Sequence, residues 1–331
     1  MDYHSGTGSI TMRSSVRKAS FGLLLILVAS GFCQQNSPQK KETEETWNQQ
    51  WRNKVVALGE VVPDKLMGRD YFHAIGTGMF VSTDKETGYL VTARHVFCDT
   101  EKGLHPHQLH LRFAWQDHKS VYEYLGVPFD ARDKSGADLW SSLEDGSDVA
   151  AIRIPLNLFS LLPPEDQLGA YETIGINDIG VADIYEGEQV YVLGFPEIVP
   201  KEKLARAVWR QGIVAWVNPR QSAEKVFLVD ANLGPGNSGG PVIQIPFGLK
   251  ADSTFNYLAG GKFLLLGLVS QAPVEEVTTR IGKAEMHTDI IGVGAIGVIE
   301  PASKIHKLVI MMSQGTVKAP TCDVPEAKPS R

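Results

Sequence analysis

Cysteine is scarce in this chain of 331 residues: Cys33, Cys98 and Cys322 are too few and too scattered for a disulfide framework. One lies in the leader region and one in the tail, which leaves the core with Cys98 alone. Cys98 follows Phe97 in an apolar context and reads as a buried, inert thiol. No charge dominates. The formal net charge is -6 with 21% charged residues and no basic stripe, which gives no support for nucleic-acid binding. Aromatic residues, 8% of the chain, are spread along it, and no internal repeat is present. Long apolar runs are also missing. The run Phe21–Ala29 is too short to favour a spanning helix. With Arg13, Arg17 and Lys18 before it and Ser30 and Gly31 after it, it reads as the apolar region of a secretory signal peptide.

These features assign residues 1–33 to a leader and residues 34–50 to a polar tether, so the chain is expected to be exported, to the periplasm or outside the cell. Met12, directly before the basic segment, is an alternative start. A membrane attachment is expected only if Cys33 is lipidated, and Phe32 stands where such sites want a small residue. Oligomeric state is left open.

Hydrophobic residues make up 43% of the chain, ordinary for a soluble globular protein. From Val55 onward the pattern is one of short apolar or alternating runs: Val55–Val62, His73–Ser82, Tyr89–Val96, Gln108–Trp115, Val149–Ile154 and Gln189–Phe195. Further runs follow at Arg206–Val217, Val226–Val229, Val242–Ile245, Phe263–Ser270 and Ile291–Ile299. Glycine, proline, aspartate and lysine separate them, which predicts an all-β barrel or sandwich protein. Ser303–Met312, after Pro301, spaces Ile305, Leu308, Val309 and Met312 as one helical face. Trp47 and Trp51, four apart, suit one short helix packed on the domain. Residues 116–147 are polar and rich in glycine and aspartate and read as an inserted surface loop. Residues 314–331 read as a disordered tail.

Three positions carry chemistry. In Gly234-Pro235-Gly236-Asn237-Ser238-Gly239-Gly240-Pro241-Val242, glycine and proline set a rigid, specially shaped turn between apolar runs. Such a turn can present the Ser238 hydroxyl outward and gather N–H groups beside it, the needs of a nucleophile with an oxyanion hole. Leu90-Val91-Thr92-Ala93-Arg94-His95-Val96 ends an apolar strand on a histidine. Gly146-Ser147-Asp148-Val149 opens another strand on an aspartate. Asp138 and Asp145 are rival acids, but neither opens an apolar strand. His105, His107 and His110 have no cysteine or carboxylate at ligand spacing beside them and read as solvated surface histidines. No metal or cofactor is expected.

Gly76-Thr77-Gly78-Met79-Phe80-Val81, Val91-Thr92-Ala93-Arg94-His95-Val96, Asp148-Val149-Ala150 and Gly236-Asn237-Ser238-Gly239-Gly240-Pro241 resemble the signature blocks of trypsin-like (chymotrypsin-fold) serine proteases. Their local wording is closest to the bacterial HtrA/Deg branch. Val192–Pro196, Gln211–Val214, Asp230–Asn232, Leu266–Val269 and Gly297–Pro301 are supporting echoes. The resemblance implies two six-stranded β-barrels, about 51–168 and 169–300, followed by a helix over 302–312, in a domain spanning 51–313. It also implies that His95 acts as base, Asp148 as the orienting acid, Ser238 as nucleophile, and the N–H groups of Gly236 and Ser238 as oxyanion hole. Asn232, Leu268, Val269 and Ser270 would form the substrate pocket. The partners implied are protein or peptide substrates.

Departures from the family bear on regulation and specificity. Asn237 stands where digestive trypsins carry the aspartate that pairs with a newly cut N-terminus. Asn232 stands where they carry the aspartate at the pocket base, so strong basic P1 specificity is not expected. The apolar bulk of Leu268 and Val269 suggests a small or medium aliphatic P1 residue. Too few residues follow Pro301 for the PDZ domain usual in HtrA proteases. The expectation is an exported serine endopeptidase; a catalytically silent protease-like binding module and an esterase with the same triad are the alternatives.

Overall fold

Alternating and continuous apolar runs of five to ten residues cannot bury themselves alone, and in this chain they pair into sheets that enclose two cores. The structure is a computed structural model. It describes residues 51–64, 68–84, 86–116, 122–155, 172–179, 183–196, 206–218, 225–244, 247–249, 255–257, 263–271, 275–281, 284–290 and 296–322. All fall in one unit, Glu45–Arg331. The expected leader and tether lie outside the described residues.

In chain order the strands of the first half are β1 (Val55–Asp64), β2 (Arg69–Ser82), β3 (Thr87–Ala93), β4 (Gln108–Gln116), β5 (Tyr122–Asp130), β6 (Trp140–Ser142), β7 (Val149–Pro155) and β8 (Ile174–Gly175). A short helix, α1 (Arg94–Phe97), follows β3 without a break. The strands form one eight-stranded sheet in the order β5-β4-β1-β2-β3-β7-β6, with β8 pairing parallel to β2. The inner strand β3 is buried along six of its seven residues because β2 and β7 flank it and core covers it. That is why its sequence reads as a continuous apolar run rather than an alternation.

The second half contains β9 (Gln189–Gly194), β10 (Val208–Trp216), β11 (Phe227–Asp230), β12 (Pro241–Gln244), β15 (Leu264–Gln271) and β18 (Ile296–Pro301). These six close into a barrel in the order β10-β11-β18-β15-β12-β9. Two hairpins lie outside it: β13 (Phe247–Leu249) with β14 (Phe255–Tyr257), and β16 (Glu275–Ile281) with β17 (Ala284–Ile290). The helix α2 (Ala302–Ser313) follows Pro301 and buries Ala302, Ile305, Leu308 and Val309. The expected all-β class, the closed second barrel and the terminal helix are as the sequence implied.

Residues 116–147 differ from the expected surface loop. β5 pairs with β4 from Gln108↔Asp130 to Gln116↔Tyr122, and β6 pairs with β7. The Gly126 and Pro128 that made the stretch look irregular sit within an edge strand, where proline's missing N–H is tolerated.

Cys98 is not a free thiol: it forms a disulfide with Cys322 across a separation of 224 residues. The tail up to Cys322 is thereby tied to the end of α1. The Arg94 guanidinium donates to the Thr321 carbonyl (3.3 Å), and Lys318 pairs with Glu144 (3.0 Å). A polar, proline-containing composition reads as disorder only when nothing cross-links it. Residues 323–331 lie outside the described residues. Among the described residues no helix is long and apolar enough to cross a membrane.

Candidate active site

His95 stands on α1, whose Phe97 is fully buried and stacks on Trp140 at 5.6 Å between ring centroids. The core therefore fixes the helix that carries the histidine. Asp148 ends the Asp145-Gly146-Ser147 turn at the start of β7. In that turn Asp145 accepts the Ser147 N–H (3.1 Å), and Gly146 takes a left-handed φ of 79°, open to glycine without strain. β3 and β7 pair through Ala93↔Val149, and just beyond that pair the Arg94 N–H meets the Asp148 carbonyl, which brings His95, the next residue, beside Asp148.

The contact between them has two points. His95 Nδ1 lies 2.8 Å from Asp148 Oδ2, and the His95 backbone N–H donates to Oδ1 at 3.0 Å. Ser270 Oγ donates to the same Oδ2 at 2.6 Å. The Asp148 N–H donates to Glu300 Oε1 at 2.8 Å, and its carbonyl accepts the Arg94 N–H at 3.2 Å. A carboxylate accepting three donors is held in one orientation.

Ser238 lies on the turn after β11, and the first sheet grips that turn. The Thr77 N–H donates to the Ser238 carbonyl (2.7 Å), and Thr77 Oγ1 donates to the Gly236 carbonyl (2.6 Å). Gly239, at φ 83°, leaves no room for a side chain: a Cβ there would stand 2.1 Å from the Thr77 carbonyl oxygen. A Cβ on Gly76 would stand 2.6 Å from Val96, next to His95, and 3.1 Å from the Ser238 carbonyl oxygen. The turn and α1 are thus neighbours across β2.

The N–H groups of the turn divide into two sets. Asn237 N–H donates to the Gly234 carbonyl, Gly239 N–H to Val269 and Gly240 N–H to Asn237. Among the described residues the N–H groups of Gly236 and Ser238 meet no backbone acceptor. Gly236 has φ 88°, a conformation that L side chains rarely adopt. Asn237 is fully buried; its Nδ2 donates to the Gly234 carbonyl (2.9 Å), while its Oδ1 has no partner.

The expected pocket residues separate. Leu268 and Val269 are fully buried in the hydrophobic cores, so their apolar bulk is committed to packing and does not form an open wall. Ser270 is turned to Asp148. Asn232 is exposed, at φ 49°, and its carbonyl accepts from Arg210 (2.6 Å). The reasoning from Leu268 and Val269 to an aliphatic P1 residue therefore loses its basis.

The rival acids are engaged elsewhere. Asp138, 8% exposed at its side chain, meets His105 Nε2 at 2.7 Å and accepts from Trp140 Nε1 at 3.1 Å. His105 is consequently a half-buried paired residue, not a solvated one. Asp145 pairs with Lys304 of α2. Burial pushes the Asp145 carboxyl upward, but the Lys304 ammonium and the Ser147 donors outweigh it and bring it down to about 2. Among the described residues no group of three or more potential metal ligands is present.

Thr77 and Glu300 carry contacts that sequence reasoning passed over. Thr77 lies in the block Gly76–Val81, where a lone threonine between two glycines was its signal. Glu300, 6% exposed, was the one charged residue in the apolar run Ile296–Pro301. Burial raises its carboxyl above the ordinary carboxylate range, and the Asp148 N–H opposes that shift.

The model of the trypsin-like peptidase domain matches residues 76–246, more than half of the chain. No curated protein matches the chain.

Proposed function

The chain belongs to the trypsin-like peptidase family, and we propose that it is a serine endopeptidase working through His95, Asp148 and Ser238. The observation that carries this reading is the two-point contact of His95 with Asp148. With Oδ2 on Nδ1, the imidazole is held with Nε2 free to take a proton. His95 accepts the Ser238 hydroxyl proton as Oγ attacks the scissile carbonyl, and returns it to the leaving amine. Asp148 fixes the tautomer and stabilises the imidazolium. The N–H groups of Gly236 and Ser238 receive the oxyanion, a role supported by their lack of backbone acceptors. Water then hydrolyses the acyl-enzyme by the same relay.

Export fits this chain. The basic and apolar leader supports it, and so does the Cys98–Cys322 disulfide, since such bonds persist in oxidising compartments. Protein substrates of the cell envelope or beyond, and a relationship to the HtrA/Deg branch, belong to the same reading.

A fluorophosphonate probe tests it. Ser238 should be labelled in the wild-type chain, and casein should be cleaved. Ser238→Ala should lower turnover by about 10⁶. Absence of labelling, with the fold intact, would show a silent binding module instead. Ester turnover without casein cleavage would show an esterase.

A further inference from the structure

Asp148 belongs to the first sheet, yet two of its contacts come from the second barrel. Ser270 on β15 donates to its carboxylate, and Glu300 on β18 accepts its main-chain N–H. β15 and β18 are paired neighbours, with Leu268 opposite Glu300, so the two contacts come from one patch of that barrel. Core packing gives no reason for a carboxylate at residue 300, since Val298, Ile299 and Pro301 continue the strand in apolar residues. Nor, among the described residues, is a dedicated cation its partner: Lys304, the neighbouring cation on α2, is bonded to Asp145.

We propose that Glu300 is a positioning residue of the triad: from the second barrel its carboxylate fixes the main chain of Asp148, and with it the orientation in which Asp148 meets both donors of His95. The inference rests on the serine-peptidase reading above. An ionised acceptor makes the bond to the Asp148 N–H charge-assisted, stronger than a hydroxyl or amide would give. With its N–H held by Glu300 and its carbonyl by Arg94, the Asp148 peptide cannot swing, and the side chain has few ways to leave His95.

Glu300→Gln keeps an oxygen acceptor and removes the charge; Glu300→Ala removes both. Two readouts apply: the rate of fluorophosphonate labelling of Ser238, and the low-field proton resonance of His95 Nδ1–H in the folded chain. Glu300→Ala should broaden the resonance and slow labelling by about tenfold or more, through a misaligned His95. Glu300→Gln should keep the resonance and lose less rate, since it keeps an acceptor without the charge. A purely structural glutamate would lower the melting temperature in both variants and leave the resonance sharp. A sharp resonance in folded Glu300→Ala overturns the proposal, as does equal damage to the labelling rate in the two variants. If Glu300→Ala does not fold, Glu300→Gln decides alone: labelling at the wild-type rate overturns the proposal. If wild-type Ser238 takes no probe, the peptidase reading fails, and the resonance still decides whether Glu300 orients the His95–Asp148 pair.

Discussion

Thr77 and Gly236 are 159 residues apart in the chain, and the hydroxyl of one donates to the carbonyl of the other at 2.6 Å. Thr77 sits in β2 of the first sheet; Gly236 sits in the turn that carries Ser238. The same hydroxyl accepts the Phe195 N–H at 3.1 Å, while the Thr77 N–H holds the Ser238 carbonyl. One fully buried threonine therefore sets where the serine turn of the second barrel stands relative to the histidine helix of the first.

Thr77→Val keeps the shape and removes the hydroxyl, leaving the Gly236 carbonyl and the Phe195 N–H unpaired in the interior. Each such orphan costs about 1–3 kcal/mol, so denaturant unfolding should show a loss of about 2–4 kcal/mol. A turn displaced by even about 1 Å should also slow labelling of Ser238 by about 10². Thr77→Ser should restore most of both. Wild-type labelling in the valine variant would show that the turn is located by other contacts.

How much of this was legible beforehand depended on where each signal lies. The strands flanked by turn formers, such as Leu90–Ala93 and Val190–Gly194, announce themselves because both faces are buried and the run is uniformly apolar. β5 does not, since an edge strand with Gly126 and Pro128 has the composition of a loop; pairing with β4 decides its conformation, and pairing is non-local. The histidine, aspartate and serine could be picked out because each sits at a strand end or a glycine turn. Their supporting contacts could not. Ser270, Thr77 and Glu300 act through partners 118 to 159 residues away, as with Thr77 to Phe195 and to Gly236. Cys322 looked like tail because its partner, Cys98, lies 224 residues earlier.

The Cys98–Cys322 bond constrains the unfolded chain and the tail together. A loop of that length gives about 5.4 kcal/mol in the chain-entropy account, and bonds of this kind deliver about 2–4 in practice. A Cys98→Ser, Cys322→Ser double variant should lose about that much stability. Limited proteolysis should then cut first within residues 314–322, left with the Arg94 and Lys318 contacts, the Thr316 bonds to Met311 and the packing of Val317. A midpoint unmoved by the double substitution, with the tail still protected, would mean that the disulfide contributes nothing.

Asp145 and Lys304 join the turn before Asp148 to α2. The Asp145 carboxyl is lowered from 3.8 to about 2, so the folded state holds its proton less tightly than the unfolded state does. The contribution is therefore present above about pH 4 and disappears as pH falls from there through about 2. With the side chains 32% and 17% exposed, solvent screening reduces it to about 1 kcal/mol. Asp145→Asn should destabilise by that amount at pH 7 and approach the wild type as pH falls through about 2. A difference that does not vary with pH would assign the effect to the turn and not to the ion pair.

Asn237 directly precedes the serine and is fully buried, with Nδ2 donating to the Gly234 carbonyl and Oδ1 close against Gly194 without a donor. Asn237→Asp changes one atom type, but replaces that donor by an oxygen facing the Gly234 carbonyl. The new carboxylate would be buried with no cation to meet it among the described residues. Its neutral form keeps a hydroxyl donor for Gly234, so the folded state would favour protonation. Stability should then fall as pH rises through and above the ordinary carboxylate range. At pH 8 the loss should reach about 3 kcal/mol or more, and near pH 4 it should be much smaller. Melting curves at the two pH values decide this. An Asp variant as stable as the wild type at pH 8 would reveal a cation, such as a chain terminus, able to enter beside the serine turn, and with it an activation step of the kind that Asn237 otherwise excludes.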